Sequence, residues 1–157
     1  MTKKLVLHSE LETRKLGEAI AQMLFPGAVI TLAGDLGAGK TTFTKGIGAG
    51  LGIQDDINSP TFNILKCYFG GKMSLYHIDA YRLEGVDEAN KNIGLEEVIE
   101  GDGVAIIEWP EFIKEMIPFD SLQIEIYILE NGDREFVISS NSPNYYQVLL
   151  VAEEGKF

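Results

Sequence analysis

AVITLAGDLGAGKTTFTKGI, Ala28 to Ile47, decides how the rest of the chain is read. AVITLA is a short continuous apolar run, the pattern of a strand buried on both faces. GDLGAGKTT follows, Gly34 to Thr42, and contains G-x-x-x-x-G-K-T in Gly34, Gly39, Lys40 and Thr41. Phe43, Ile47 and Leu51 then recur at helical spacing, although Gly46, Gly48 and Gly50 lower helix propensity. A glycine-rich loop between a buried strand and a helix lets successive backbone N–H groups turn inward toward phosphate oxygens. The helix start adds the positive end of its dipole. In that setting Lys40 can reach the β- and γ-phosphates and the Thr41 hydroxyl can ligate magnesium. Strand, loop and helix together argue against a chance glycine turn.

Outward from this centre the pattern alternates helix and strand. Ser9-Glu10-Leu11-Glu12 is a capping box. Leu16, Ala19, Ile20, Met23 and Leu24 continue it at helical spacing, and Pro26-Gly27 stops it. Thr61 to Phe69 and Lys72 to Ile78 read as two strands turning at Gly70-Gly71. Asp87 to Glu100 is helix-like with a break at Gly94, VAIIEW is a strand, and Glu111 to Met116 is a short helix. Leu122, Ile124, Ile126 and Ile128 share one face at period two, and Asn131-Gly132-Asp133 turns that strand into REFVIS. Residues 143–157 fit strand or helix. The expectation is α/β: a P-loop NTPase-like three-layer fold with a mixed parallel and antiparallel sheet, in a single domain over 1–157.

Composition narrows the function. The chain has 157 residues, 45% of them hydrophobic, which is enough for one sizeable core. Cys67 is the single cysteine, so no internal disulfide forms, and one Cys with two separated His builds no Cys/His zinc site. The N-terminus lacks a signal-peptide apolar core, and no run reaches the ~18–20 apolar residues of a membrane span. A cytoplasmic protein with no membrane role is expected. There are 24 Asp and Glu against 13 Lys and Arg, for a net charge of −11. Such a surface repels phosphate backbones, so strong direct nucleic-acid binding is not expected.

Two acidic strand ends complete the pattern. In open α/β sheets, ligands collect beyond the carboxyl ends of the strands. VAIIEWPE places Glu108 at the end of a buried strand, where a carboxylate is costly to bury unless positive charge offsets it. A magnesium ion carried in with a nucleotide would supply that charge. HIDAYR places His77, Asp79 and Tyr81 at two-residue spacing on one strand face. Asp79 could ligate metal through water or position the attacking water. His77 reads as a hydrogen-bonded core histidine before a ligand. Arg82 could meet phosphate, a partner or an acid. Ser59 and Thr61 flank Pro60, which holds Ser59 extended, and both hydroxyls are free to face a γ-phosphate or magnesium as a switch. Asn90-Lys91-Asn92-Ile93 resembles the guanine-reading N-K-x-D but has isoleucine in place of the aspartate, which favours ATP over GTP.

With GDLGAGKTT, SPTF, HIDAYR and IIEWPE present in this order, the chain resembles the TsaE (YjeE) family over about residues 7–140. That resemblance implies a magnesium-dependent P-loop ATPase of tRNA threonylcarbamoyladenosine biosynthesis. It implies slow hydrolysis alone, and work in a complex with TsaD and TsaB. Carried over by motif, Leu36, Gly37, Ala38, Gly39, Lys40 and Thr41 bind phosphates with Thr42 beside them. Thr41 and Glu108 hold Mg²⁺, Asp79 serves hydrolysis, and Ser59 with Thr61 forms the switch. Trp109 lies beside the site, and Glu10 and Thr13 meet the adenine. Either Asp79 or Glu108 could play the metal-bound part. Two rivals remain: a small-molecule kinase, for which no Arg-rich lid is visible with Arg only at 14, 82 and 134, and a nucleotide sensor without turnover.

Overall fold

The structure is a computed structural model that describes residues 1–58, 63–91, 94–155 and 157. Seven strands form one sheet: β1 (Thr2–Leu7), β2 (Val29–Gly34), β3 (Leu65–Tyr68), β4 (Leu75–Asp79), β5 (Val104–Glu108), β6 (Leu122–Ile128) and β7 (Arg134–Ser139), in the order β1-β7-β6-β2-β5-β4-β3. β2 lies parallel to both β5 and β6, and β4 lies parallel to β5. β1–β7, β6–β7 and β3–β4 are antiparallel. The sheet is therefore mixed, with a parallel centre and antiparallel edges, as expected.

The apolar runs of β2 and β5 have a simple cause: they are covered on both faces. Along β5, Val104 and Ile106 join one core, while Ala105 and Ile107 join a second. The first core is closed by α1 (Glu10–Ala21), α2 (Lys40–Gly50) and the last helix, residues Tyr146–Glu154. On the opposite face the helices are short. α3 (Glu88–Lys91) and α4 (Leu95–Ile99) stand either side of the left-handed Gly94, with 3₁₀ segments at Tyr81–Leu83 and Pro110–Met116. Leu83, Leu95, Ile99, Ile113 and Met116 cover this side of the sheet around β4, β5 and the start of β2. β6 keeps Gln123, Glu125 and Tyr127 exposed on this face and buries Leu122, Ile124 and Ile126 on the other. This is the period-two pattern of a strand wet on one side.

α1 and α2 pack in close contact, and glycines make that possible. A Cβ on Gly46 would collide with the Arg14 carbonyl oxygen, and one on Gly17 would come within 2.6 Å of the Phe43 oxygen. The residues that weaken α2 as an isolated helix thus let it dock against α1. α1 is capped as the capping box requires, with the Glu12 N–H donating to Ser9 Oγ at 3.1 Å. The Glu12 carboxylate reaches back to the His8 N–H, one residue before the cap.

Several expectations are corrected. β1 carries no strand signal in the sequence, because its pairing partner β7 lies more than a hundred residues away and MTKKLVL carries two lysines on an edge. α1 ends at Ala21, with Met23 and Leu24 in turns that follow it. The 61–69 strand is shortened to Leu65–Tyr68, with residues 61 and 62 outside the described chain. Tyr81 lies beyond the end of β4, in a 3₁₀ turn. Residues Pro110–Met116 are 3₁₀. The tail, open between strand and helix, forms α5 (Tyr146–Glu154), burying Val148, Leu149 and Ala152. Just before it, the buried Tyr145 hydroxyl accepts the Val29 N–H at 2.9 Å, tying the tail to the start of β2.

Candidate functional site

The topology brings several chain segments to one rim. β1, β2, β4, β5 and β6 all end there and β7 begins there, because β1 and β6 run antiparallel to β7. Between them lies a cleft of about 900 Å³. Its walls include Leu36, Gly37, Ala38, Gly39, Lys40, Thr41 and Thr42 from the glycine loop, Glu10 and Thr13 from α1, and Asp79, Tyr81, Arg82, Glu108 and Trp109 from the far side. His77 is absent from the walls; it is fully buried behind Glu108. Ser59 and Thr61 lie outside the described residues.

The loop is shaped by two left-handed glycines, Gly37 at φ 80° and Gly39 at φ 112°, which residues with a Cβ adopt only under strain. Gly39 is the N-cap of α2 and has no side chain to cap it. The amides of the first turn are therefore left to a ligand or to water. Leu36 stands 95% exposed at the mouth.

Asp79 and Glu108 are register partners on β4 and β5. Glu108 is buried, with the His77 ring and the Lys40 ammonium beside it. His77 Nε2 lies 2.5 Å from Glu108 Oε2, and Lys40 Nζ lies 3.6 Å from Oε1. Lys40 and the His77 ring both meet the carboxylate that the sequence pairs with a metal ion. Burial alone pushes Glu108 up, but the hydrogen bond and charge of His77 and the charge of Lys40 outweigh it and hold the carboxyl below its ordinary value. Asp79 moves the other way. Burial raises it first, the Tyr81 N–H bond at 3.1 Å opposes, and the Glu108 charge adds to the rise.

His77 is only half satisfied, since its buried Nδ1 has no hydrogen-bond partner among the described residues. This qualifies its reading as a hydrogen-bonded core residue. Thr13 is buried, and its hydroxyl donates to the Ser9 carbonyl at 3.3 Å, so its methyl is the part nearest Gly39.

Trp109 has φ 57° and ψ 52°, the single non-glycine residue with positive φ among the described residues. A bulky side chain in that region is strained, and such strain gathers at functional sites. The twist aims the indole into the cleft, where Lys40 Nζ sits 4.7 Å from the ring centroid. Tyr81 tilts against the same ring at 5.1 Å, and Phe112 stacks on it at 6.1 Å.

The oxygen donors at the rim, Thr41 hydroxyl and the Asp79 and Glu108 carboxylates, suit a small hard cation. Among the described residues no group of three or more His, Cys, Asp or Glu gathers to hold a metal. Two carboxylates and a hydroxyl fit an ion whose remaining ligands are phosphates and water.

Leu7, His8, Ser9, Gly132 and Arg134 also line the cleft and were not anticipated. Of these, Arg134 makes the most specific contacts. It donates from Nε to the Ala38 carbonyl at 3.0 Å, from Nη2 to the Gly37 carbonyl at 3.3 Å and from Nη1 to the Gly132 carbonyl. No helix among the described residues is long and apolar enough to cross a membrane.

Comparison with known proteins bears on the whole arrangement. The family model for the threonylcarbamoyl adenosine biosynthesis protein TsaE matches residues 7–136. The TsaE protein of Bacillus subtilis is 44% identical over 138 residues, covering 88% of this chain and 85% of its own. That of Treponema pallidum is 40% identical over 134 residues, covering 85% and 98%. The crystal structure of Bacillus subtilis YdiB superimposes with a TM-score of 0.83 at 35% identity, covering 98% of this chain and 95% of that one. With its glycine loop, its paired acidic strand ends and this degree of likeness, the chain belongs to the TsaE family.

Proposed function

We propose that this protein is the nucleotide-binding, ATP-hydrolysing component of tRNA threonylcarbamoyladenosine biosynthesis. The observation that carries the reading is the meeting of Lys40, Asp79 and Glu108 at one cleft with the glycine loop, in a TsaE-family chain. The loop amides from Gly37 to Thr41 and the start of α2 receive the phosphates. Lys40, held in reserve by Glu108 and the Trp109 ring, moves to the β- and γ-phosphates when they arrive. Thr41 and Glu108 would hold Mg²⁺, which would neutralise phosphate charge. Glu108, kept ionised, suits a charge-holding part. Asp79, pushed upward, suits accepting a proton from the attacking water. Glu10 and Thr13 border the end of the cleft assigned to adenine.

Hydrolysis is expected to be slow for the isolated chain and faster in a complex with TsaD and TsaB. The acidic surface, at net charge −11, suits contact with proteins while the tRNA is met by the assembly. Phosphate release under multiple turnover, with and without TsaD and TsaB, tests the reading. Stimulation by the partners is the expected result. ADP formation that requires a small-molecule acceptor and yields no free phosphate would make the protein a kinase, and no ADP formation under any condition would make it a sensor.

A further inference from the structure

We propose that Arg134, the first residue of β7, is the positioning residue of the phosphate loop: its guanidinium sets the direction of the Gly39 amide by holding the carbonyls of the two peptide units that flank Ala38. The proposal rests on the reading of that loop as a nucleotide site.

The geometry has three parts. First, the acceptors are all backbone. Nε, Nη1 and Nη2 go to Ala38, Gly132 and Gly37 oxygens, and among the described residues no carboxylate pairs with Arg134. The side chain is therefore committed to shaping the chain rather than to neutralising an acid. Second, the Ala38 carbonyl and the Gly39 N–H belong to one planar trans peptide and point in opposite directions. Drawing the oxygen toward Arg134 turns that N–H to the other side. The flanking glycines sit at φ 80° and 112° and have little conformational preference of their own, so the peptide needs an outside hold. Third, the base of the clamp is itself fixed. Arg134 is register partner to Leu7 on β1 and to Ile128 on β6. The adjoining turn is closed by Leu129 N–H to the Asp133 carbonyl and Asp133 N–H to Asn131 Oδ1, and His8 Nδ1 meets Asp133 Oδ2 at 2.9 Å. A planar fork spanning two successive carbonyls is a task lysine cannot repeat with a single ammonium.

The test measures ADP and ATP affinity of the full chain by calorimetry for wild type, Arg134→Lys and Arg134→Gln. Both variants are expected to weaken ADP and ATP alike, by about tenfold, the size of one charge-assisted hydrogen-bond set. At saturating ATP, kcat stays within about twofold, because the group acts on ground and transition states equally. A second readout is the Gly39 amide in the ADP-saturated protein, whose hydrogen exchange accelerates in both variants while the strand amides of β6 and β7 stay protected. Wild-type affinity in Arg134→Lys would mean that charge alone suffices and would overturn the proposal. So would an unchanged Gly39 amide. Arg134→Lys decides the matter by itself if Arg134→Gln does not fold. A wild-type chain that binds neither nucleotide would instead remove the functional reading on which the proposal rests.

Discussion

Asp79 and Glu108 occupy one register position on neighbouring parallel strands, yet their surroundings drive their acidities apart. Glu108 is buried beside His77 and Lys40, while Asp79 is half-buried and opposed by the Glu108 charge. The same pair can therefore divide charge-holding from proton transfer. Replacing either side chain by its amide tests that division. Asp79→Asn and Glu108→Gln are expected to keep ADP affinity within about threefold and to lower partner-stimulated kcat by roughly 10²–10⁴-fold, the range of general-base effects. Normal turnover in both would show that the two acids are misassigned.

The opposite shifts give opposite dependences of stability on pH. Glu108 is held low, so its contribution is fully present above the ordinary carboxylate range and is lost as pH falls through its folded value. Asp79 is held high, so its ionisation works against the fold, and that penalty is relieved as pH falls through its raised value. Thermal melting of the nucleotide-free protein should find Glu108→Gln less stable than wild type at pH 7, with the gap closing in acid. Asp79→Asn should be more stable at pH 7, with its advantage also closing in acid.

Lys40 and Glu108 are both buried, so removing one leaves the other exposed to a cost that the pair does not bear. Lys40→Ala should weaken ADP and ATP binding by roughly 10- to 100-fold through lost phosphate contact. It should also destabilise the nucleotide-free fold by about 3 kcal/mol, as breaking a buried pair does. The double variant Lys40→Ala/Glu108→Gln should recover part of that stability. Strict additivity in the double-mutant cycle would deny the coupling.

Gly46 makes a prediction against helix propensity. An exposed helical glycine changed to alanine gains up to about 1 kcal/mol. Here the new methyl would strike the Arg14 carbonyl of α1, so Gly46→Ala should cost about 1–3 kcal/mol and lower Tm by several degrees. A raised Tm would show that the two helices separate freely.

The tail can be checked in the same way. Tyr145→Phe leaves the buried Val29 N–H without its acceptor and should cost about 1–3 kcal/mol, read by denaturant unfolding. Val29 begins the strand that carries the phosphate loop, so the loss should lower nucleotide affinity less than it lowers stability.

What could be read from the chain was local. GDLGAGKTT sits between its own strand and helix, and the acidic ends of β4 and β5 follow runs whose patterns already announce burial. Period two marked β6, and Asn131-Gly132 marked its hairpin. What stayed hidden was set by distant pairing. β1 depends on β7 across the length of the chain, and α5 owes its helix to an apolar face supplied by the sheet. Arg134 carries no local sign, because the loop carbonyls it holds lie 96 and 97 residues earlier. Glu108 was legible as a costly carboxylate, but its contact with His77 needed the register of β4 on β5, and its contact with Lys40 the docking of α2.

The left-handed backbone at Trp109 has a further use. The chain's single indole is turned over the ammonium of Lys40, so a fluorophore that can be excited apart from the tyrosines sits with its centroid 4.7 Å from the group that must move. Departure of that cation changes the field across the ring, and emission intensity or wavelength should shift as nucleotide titrates in. Loading of the cleft can then be followed optically, without a label, and Lys40→Ala sets the blank.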